Sequence, residues 1–180
     1  KTAESEQILW TTCECKNLIY KEDLQKNLNC CPKCGAHHKL TCTERFKTFF
    51  DNKEFNLIST PLPKDDPINF VDKKKYTDRL KSARIITKQD DAVAISTGTL
   101  NDIQVTVGAQ DFRFIGGSFG AASGEAFIHG IQHAIDNKNP FIFFSCSGGQ
   151  RMMESSIALM QMSRTVLAVN ELKKKIYHTL

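Results

Sequence analysis

Apolar positions are spread unevenly along these 180 residues, and the way they recur divides the chain into three stretches. Residues 8–42 hold few of them, scattered among cysteines, lysines and acids without a clear strand or helix period, so this stretch reads as a small module with little core of its own. Residues 43–75 read as a connector: a short helix over 44–51, then a stretch broken by Pro61, Pro63 and Pro67, closed by the solvated run Lys73-Lys74-Lys75. From Tyr76 onward the pattern is that of an α/β fold.

In that last stretch Val93, Ile95 and Leu100, then Ile103, Val105 and Val107, predict two strands joined at Asn101-Asp102, a plausible hairpin turn. A glycine loop, Gly116-Gly117-Ser118-Phe119-Gly120, breaks the pattern. A helix over 121–137 follows, with Phe127, Ile128, Ile131, Ala134 and Ile135 on one face and Asn137 and Pro140 as its stop. The run Phe141-Ile142-Phe143-Phe144 predicts a fully buried strand that ends at the pair Gly148-Gly149. A long helix is expected over 151–174, where Met153, Ile157, Met160, Arg164 and Leu167 recur at helical spacing as core packing. Residues 176–180 look like the opening of another strand, and no internal repeat is present.

Composition narrows the class. A hydrophobic content of 41% allows one real core plus a small satellite module. A formal net charge of +4, with both signs interspersed, permits weak nucleic-acid contact without demanding it. No stretch has the apolar length of a membrane span or a signal peptide, so a soluble, cytoplasmic protein is the expectation.

Cysteines change the picture more. Cys13, Cys15, Cys30, Cys31, Cys34 and Cys42 crowd the first quarter, and only Cys146 lies beyond. An odd, crowded set argues for metal ligation over a disulfide framework. Cys31-Pro32-Lys33-Cys34 is a C-x-x-C knuckle of the kind that grips one tetrahedral Zn²⁺ in a zinc ribbon. Its partner, Cys13-Glu14-Cys15, is one residue short, so Cys30, His37 or His38 stand as substitutes, with Cys13, Cys15, Cys31 and Cys34 the preferred set. No open coordination position is implied, and the metal is structural. Lys16, Lys21, Lys26, Lys33 and Lys39 tint the module basic, but Glu14, Glu22 and Asp23 dilute it and aromatics for base stacking are few.

The two glycine loops each precede an expected helix. Backbone amides there could approach an anion closely, although the local pattern alone favours a mere tight turn at Gly148-Gly149. Together they suit a phosphate- or thioester-bearing ligand. Neither is a P-loop or a dinucleotide fingerprint, Ser145 and Ser147 form no G-x-S-x-G elbow, and Cys146 reads as inert packing.

These residues are collinear with a known family. Trp10-Thr11-Thr12-Cys13, Asn27 to Cys34, Lys74 to Leu80, Phe114 to Gly120, Ser145 to Met152 and Leu159-Met160-Gln161-Met162 together resemble the β subunits of bacterial-type acetyl-CoA carboxylase carboxyltransferases. The resemblance implies an α/β, crotonase-like core, incomplete at its C-terminus, behind an N-terminal zinc ribbon: ribbon 8–42, connector 43–75, catalytic portion 76–180. It implies transfer of a carboxyl group from carrier-held carboxybiotin to acetyl-CoA, giving malonyl-CoA for fatty acid biosynthesis. Gly148 and Gly149 would then supply an enolate donor, and Gly116, Gly117, Ser118 and Gly120 would line the coenzyme A site. Implied partners are the carboxyltransferase α subunit, the biotin carboxyl carrier protein and biotin carboxylase, in an α2β2 arrangement when complete, in the bacterial cytoplasm or a plastid stroma. Departures are the short knuckle, Phe119 for methionine, Gln150 for alanine, and the ending, since the family continues past Leu180 into the segment with the second donor. A fragment, inactive alone, is therefore expected. Other readings are a related acyl-CoA carboxyltransferase, which would usually lack the ribbon, and a zinc-ribbon module binding nucleic acid or a partner.

Overall fold

The computed structural model describes residues 9–177, and the chain divides into two compact units, Lys1–Leu40 and Thr41–Leu180. In the first, strands β1 (Trp10–Thr12) and β2 (Leu18–Tyr20) pair antiparallel and run into a short helix α1 (Lys21–Lys26). Its core is Cys13, Ile19, Leu24 and Cys31. Half of that core is thiol, as the sparse apolar pattern implies.

The second unit opens with α2 (Cys42–Phe49), whose N-terminus is closed by a capping box between Thr41 and Glu44. Cys42, the last cysteine of the N-terminal crowd, is buried there and its thiol donates to Ala109 O at 3.1 Å. Burial pushes that thiol up to about 12, which keeps it a neutral packing group.

A four-stranded sheet follows in the order β3-β4-β5-β6, formed by Asn56–Ile58, Val93–Leu100, Ile103–Gln110 and Phe141–Phe144. Between β3 and β4 lies helix α3 (Tyr76–Thr87). The β4–β5 hairpin forms as the sequence predicts. Leu100 pairs with Ile103, and Asn101 and Asp102 both take positive φ, +50° and +64°, as a two-residue type I′ turn requires.

Strands β5 and β6 are parallel and are joined through helix α4 (Ala121–Asp136). Both faces of β5 are covered. Val105, Val107 and Ala109 pack with Phe46 and Phe50, while α4 closes on the other face through Ala126, with Val93 and Ile95. A side chain at Gly130 would meet Phe141 and Ile95 within about 3 Å, so α4 approaches the sheet as closely as its backbone allows.

Helix α5 (Ser156–Tyr177) differs from expectation at both ends. It starts later than residue 151, because a 3₁₀ turn (Met152–Glu154) and Ser155, at φ +50° and ψ −130°, intervene. It also runs through Ile176 and Tyr177, where a strand was expected, and residues 178–180 lie outside the described residues. Its buried stripe is likewise not the methionine one. Ala158, Gln161 and Ala168 face inward, whereas Met160 and Leu167 are exposed. The reason is close helix packing: a Cβ on Gly124 of α4 would lie 2.2 Å from Gln161 Oε1, a separation that leaves no room for bulky residues. Among the described residues no helix is long and apolar enough to cross a membrane.

Candidate functional site

The two glycine loops, separate in sequence, lie side by side. Phe119 and Gln150 form a parallel bridge, with Phe119 N donating to Gly149 O and Arg151 N to Phe119 O, both at 2.9 Å. Gly148 N donates to Gly116 O at 2.9 Å. Gln110, buried at the end of β5, ties the loops from beneath: its Nε2 donates to Gly117 O (2.7 Å) and its Oε1 accepts from Cys146 N (3.2 Å). Cys146 lies just beyond β6, and its backbone supplies that contact.

Gly117 is the tightest point. At φ +64° its missing Cβ would stand 2.1 Å from Cys146 O, a backbone atom that cannot swing aside. Gly117→Ala is therefore expected to destabilise the second unit by about 2–4 kcal/mol, from left-handed strain and overpacking together. Urea denaturation of the chain checks this, and a loss below about 1 kcal/mol would mean that the loops are less tightly joined.

The expected glycines are already engaged in different ways. Gly148 N–H is held by Gly116. Gly149, at φ +119°, directs its N–H to Ser147 Oγ at 3.0 Å, while the Ser147 hydroxyl donates to Gly149 O. Ser147 and Gly149 are exposed and line a pocket of about 280 Å³ whose apolar wall is Phe119, Phe127, Phe143 and Met162. A Cβ on Gly116 or Gly149 would meet nothing within 4 Å.

The other positions face inward. Ser118 O and Oγ take the Arg151 guanidinium, and Gly120 leaves space for Glu154, whose carboxylate accepts from Ala121 N. The N-terminus of α4 is thus occupied by the protein's own carboxylate. The Gly148-Gly149 pair does not open α5 at all. The helix-dipole picture of both loops is corrected accordingly, and the backbone amides themselves remain.

Arg151 is the group that sequence reading passed over, since it reads only as the first residue of the long helix expected over 151–174. Its side chain is fully buried and holds Asp91 through two bonds of 2.6 and 2.8 Å. It also donates to Tyr76 Oη (3.1 Å), which donates to Glu154 Oε1 (2.6 Å), and Ser123 Oγ donates to Asp91. The start of α3, the segment before β4, the first loop and α4 therefore meet on one guanidinium. Burial alone would lower the Arg151 pKa, but Asp91 more than reverses this and keeps it charged, while burial and Glu154 push the Tyr76 hydroxyl up. The resemblance of Ser145 to Met152 to the family's second glycine motif carried the only sequence signal for this role.

In the first unit the sulfurs of Cys13, Cys15, Cys31 and Cys34 all lie within 4.8 Å of one another. Cys13 and Cys34 are 3.6 Å apart and Cys15 and Cys31 3.9 Å. A tetrahedral zinc with bonds of about 2.3 Å sets its sulfurs about 3.8 Å apart, so the cluster fits one such ion. Cys30 pairs instead with His37 Nδ1 at 3.1 Å, outside the cluster.

Residues 10–34 match the family described as acetyl-CoA carboxylase zinc finger domain, and residues 67–179 match the carboxyl transferase domain. The chain is 50% identical over 165 residues to the acetyl-coenzyme A carboxylase carboxyl transferase subunit beta of Pelagibacter ubique, covering 92% of this chain and 53% of that one. It is 42% identical over 167 residues to the same subunit of Xanthobacter autotrophicus, covering 92% and 56%. The chain thus spans about half the length of the relatives it matches. Among solved structures, the transcarboxylase 12S hexamer core superposes with a TM-score of 0.55 at 24% identity, over 72% of this chain and 23% of that one. A Pseudomonas malonate decarboxylase MdcD-MdcE hetero-dimer does so with 0.54 at 18%, over 76% and 49%. Both place the second unit in the crotonase-like fold.

Proposed function

The chain belongs to the carboxyl transferase family, as the N-terminal portion of an acetyl-CoA carboxylase carboxyl transferase β subunit, and from that premise we propose that, with the rest of its fold, it carries carboxybiotin's carboxyl group to acetyl-CoA. The observation that carries this reading is the Gly149 N–H at the mouth of an apolar pocket, set there by two interlocked loops. Loss of a proton from the acetyl methyl moves charge onto the thioester oxygen. A fixed N–H aimed at that oxygen favours the transition state, and one such donor is worth about 2.7–4 kcal/mol. Ser147 Oγ holds the place on Gly149 N–H that the oxygen takes on binding. Gly148, bonded to Gly116, fixes the loop beneath it.

Carboxybiotin, delivered on its carrier, supplies the carboxyl group and afterwards the base. Phe119, Phe127 and Phe143 keep water from the carbanion that must meet the carboxyl carbon. Gly116, with open space above its Cα, is the loop member able to approach coenzyme A; Gly117, Ser118 and Gly120 hold the loop's shape. In the ribbon Cys13, Cys15, Cys31 and Cys34 hold a structural zinc. The partners are the α subunit, the biotin carboxyl carrier protein and biotin carboxylase, in the cytoplasm.

The test joins this chain to the C-terminal half of the Pelagibacter relative and supplies an α subunit, carboxylated carrier and acetyl-CoA. Malonyl-CoA is expected from the joined protein and none from the 180-residue chain. Gly149→Ala, whose Cβ meets no neighbour within 4 Å but is strained by the positive φ of +119°, is expected to cut kcat about 100-fold as the amide shifts to relieve that strain. A folded joined protein without product overturns the reading.

A further inference from the structure

The first knuckle, Cys13-Glu14-Cys15, has one residue fewer between its cysteines than Cys31-Pro32-Lys33-Cys34, and so one backbone N–H fewer to offer its sulfurs. In the longer knuckle Cys31 Sγ takes the N–H groups of Lys33 and Cys34, and Cys34 Sγ takes that of Ala36. In the shorter one Cys13 Sγ takes the N–H of Cys15, and Cys15 Sγ takes that of Asn17. A further donor arrives from a side chain: Asn17 Nδ2 lies 3.3 Å from Cys15 Sγ and 3.4 Å from Cys15 O.

Asn17 is placed for this by the turn. Lys16 takes φ +64°, Lys16 N donates to Cys13 O at 2.9 Å, and Cys13 N donates to Asn17 O at 3.0 Å, closing the loop so that the carboxamide folds back over Cys15. Four thiolates on one divalent ion leave a net charge of about −2, and N–H groups directed at sulfur offset it while fixing each ligand's rotamer.

We propose that Asn17 is a positioning residue of the metal centre, its carboxamide giving Cys15 a side-chain N–H donor in a knuckle that offers one backbone donor fewer than its partner. This rests on the reading of residues 10–34 as a zinc ribbon. An outer-shell partner of this kind is worth about 10–100-fold in metal affinity.

The experiment uses the 180-residue chain, with zinc affinity measured by competition against a chromophoric chelator and the site read by the sulfur-to-cobalt charge-transfer bands of the Co²⁺ form. Asn17→Ala is expected to lower zinc affinity about 10-fold and to shift those bands, and Asn17→Asp, which sets a carboxylate against the thiolate, to lower it further. The control is Asn27→Ala, which removes a bond to the Cys30 carbonyl in the same unit (2.8 Å) and touches no ligand sulfur. It should leave the bands in place. Wild-type zinc binding with Asn17→Ala within twofold and its bands unmoved overturns the proposal alone. So does an equal loss and band shift in Asn27→Ala. A wild-type chain that binds no zinc overturns the ribbon reading and this proposal with it.

Discussion

Arg151→Met is expected to destabilise the second unit by about 3–5 kcal/mol, the usual result of removing one partner from a buried ion pair. The methionine fills much of the volume, so the loss is electrostatic. Asp91 and Glu154, 4% and 6% exposed at their side chains, would be left facing each other across a site without a cation. Tyr76 and Ser123 can donate to them but cannot neutralise them. Arg151→Lys keeps the charge and loses the fork that holds both oxygens of Asp91, so its loss should be smaller. Arg151→Met combined with Asp91→Leu should recover part of the stability lost by Arg151→Met alone, because the unpaired charge disappears with its partner. Urea denaturation of the three variants decides the matter. A double variant less stable than Arg151→Met would show that packing, not the uncompensated carboxylate, dominates there.

The same network marks the limit of what the chain's pattern discloses. The β4–β5 hairpin is readable because its turn residues dictate a left-handed pair and its alternation names the buried face. Helix α4 is readable because Gly120 and Asn137 bound it as expected. Both depend on neighbours in sequence. Asp91 and Arg151 are 60 positions apart, and before folding a buried charge looks the same as a solvated one. Gln110 is hidden for a related reason: an amide at a strand end acquires its role only when Gly117 and Cys146 arrive on either side. In α5 the period identifies the helix, but the buried stripe depends on how closely α4 approaches, and Gly124 sets that distance from another element. Local chemistry is legible; pairings across the fold are not, except where a family motif preserves their trace.

Withdrawal of zinc by a strong chelator is expected to unfold the first unit and leave the second folded. Among the described residues, Ile19 and Leu24 are the only aliphatic side chains in its buried core, and burying both contributes on the order of 3–6 kcal/mol. A structural zinc in a small module supplies about 10–16 kcal/mol of apparent folding free energy at neutral pH. The metal term is the larger, so the β1–β2 pairing, α1 and the second knuckle should be lost together. The chain reports this unusually cleanly. Trp10 is its one tryptophan and stands 5.3 Å from Tyr20 across the β1–β2 pair. Its near-UV circular dichroism should collapse on chelation and return with added Zn²⁺, and amide protection at Ile19 should follow the same course. Amides of β5, buried between α2 and α4, should keep theirs, because that core contains no metal ligand. A Trp10 signal and Ile19 protection that survive removal of the metal would mean that the thiols and two aliphatic residues hold the ribbon unaided.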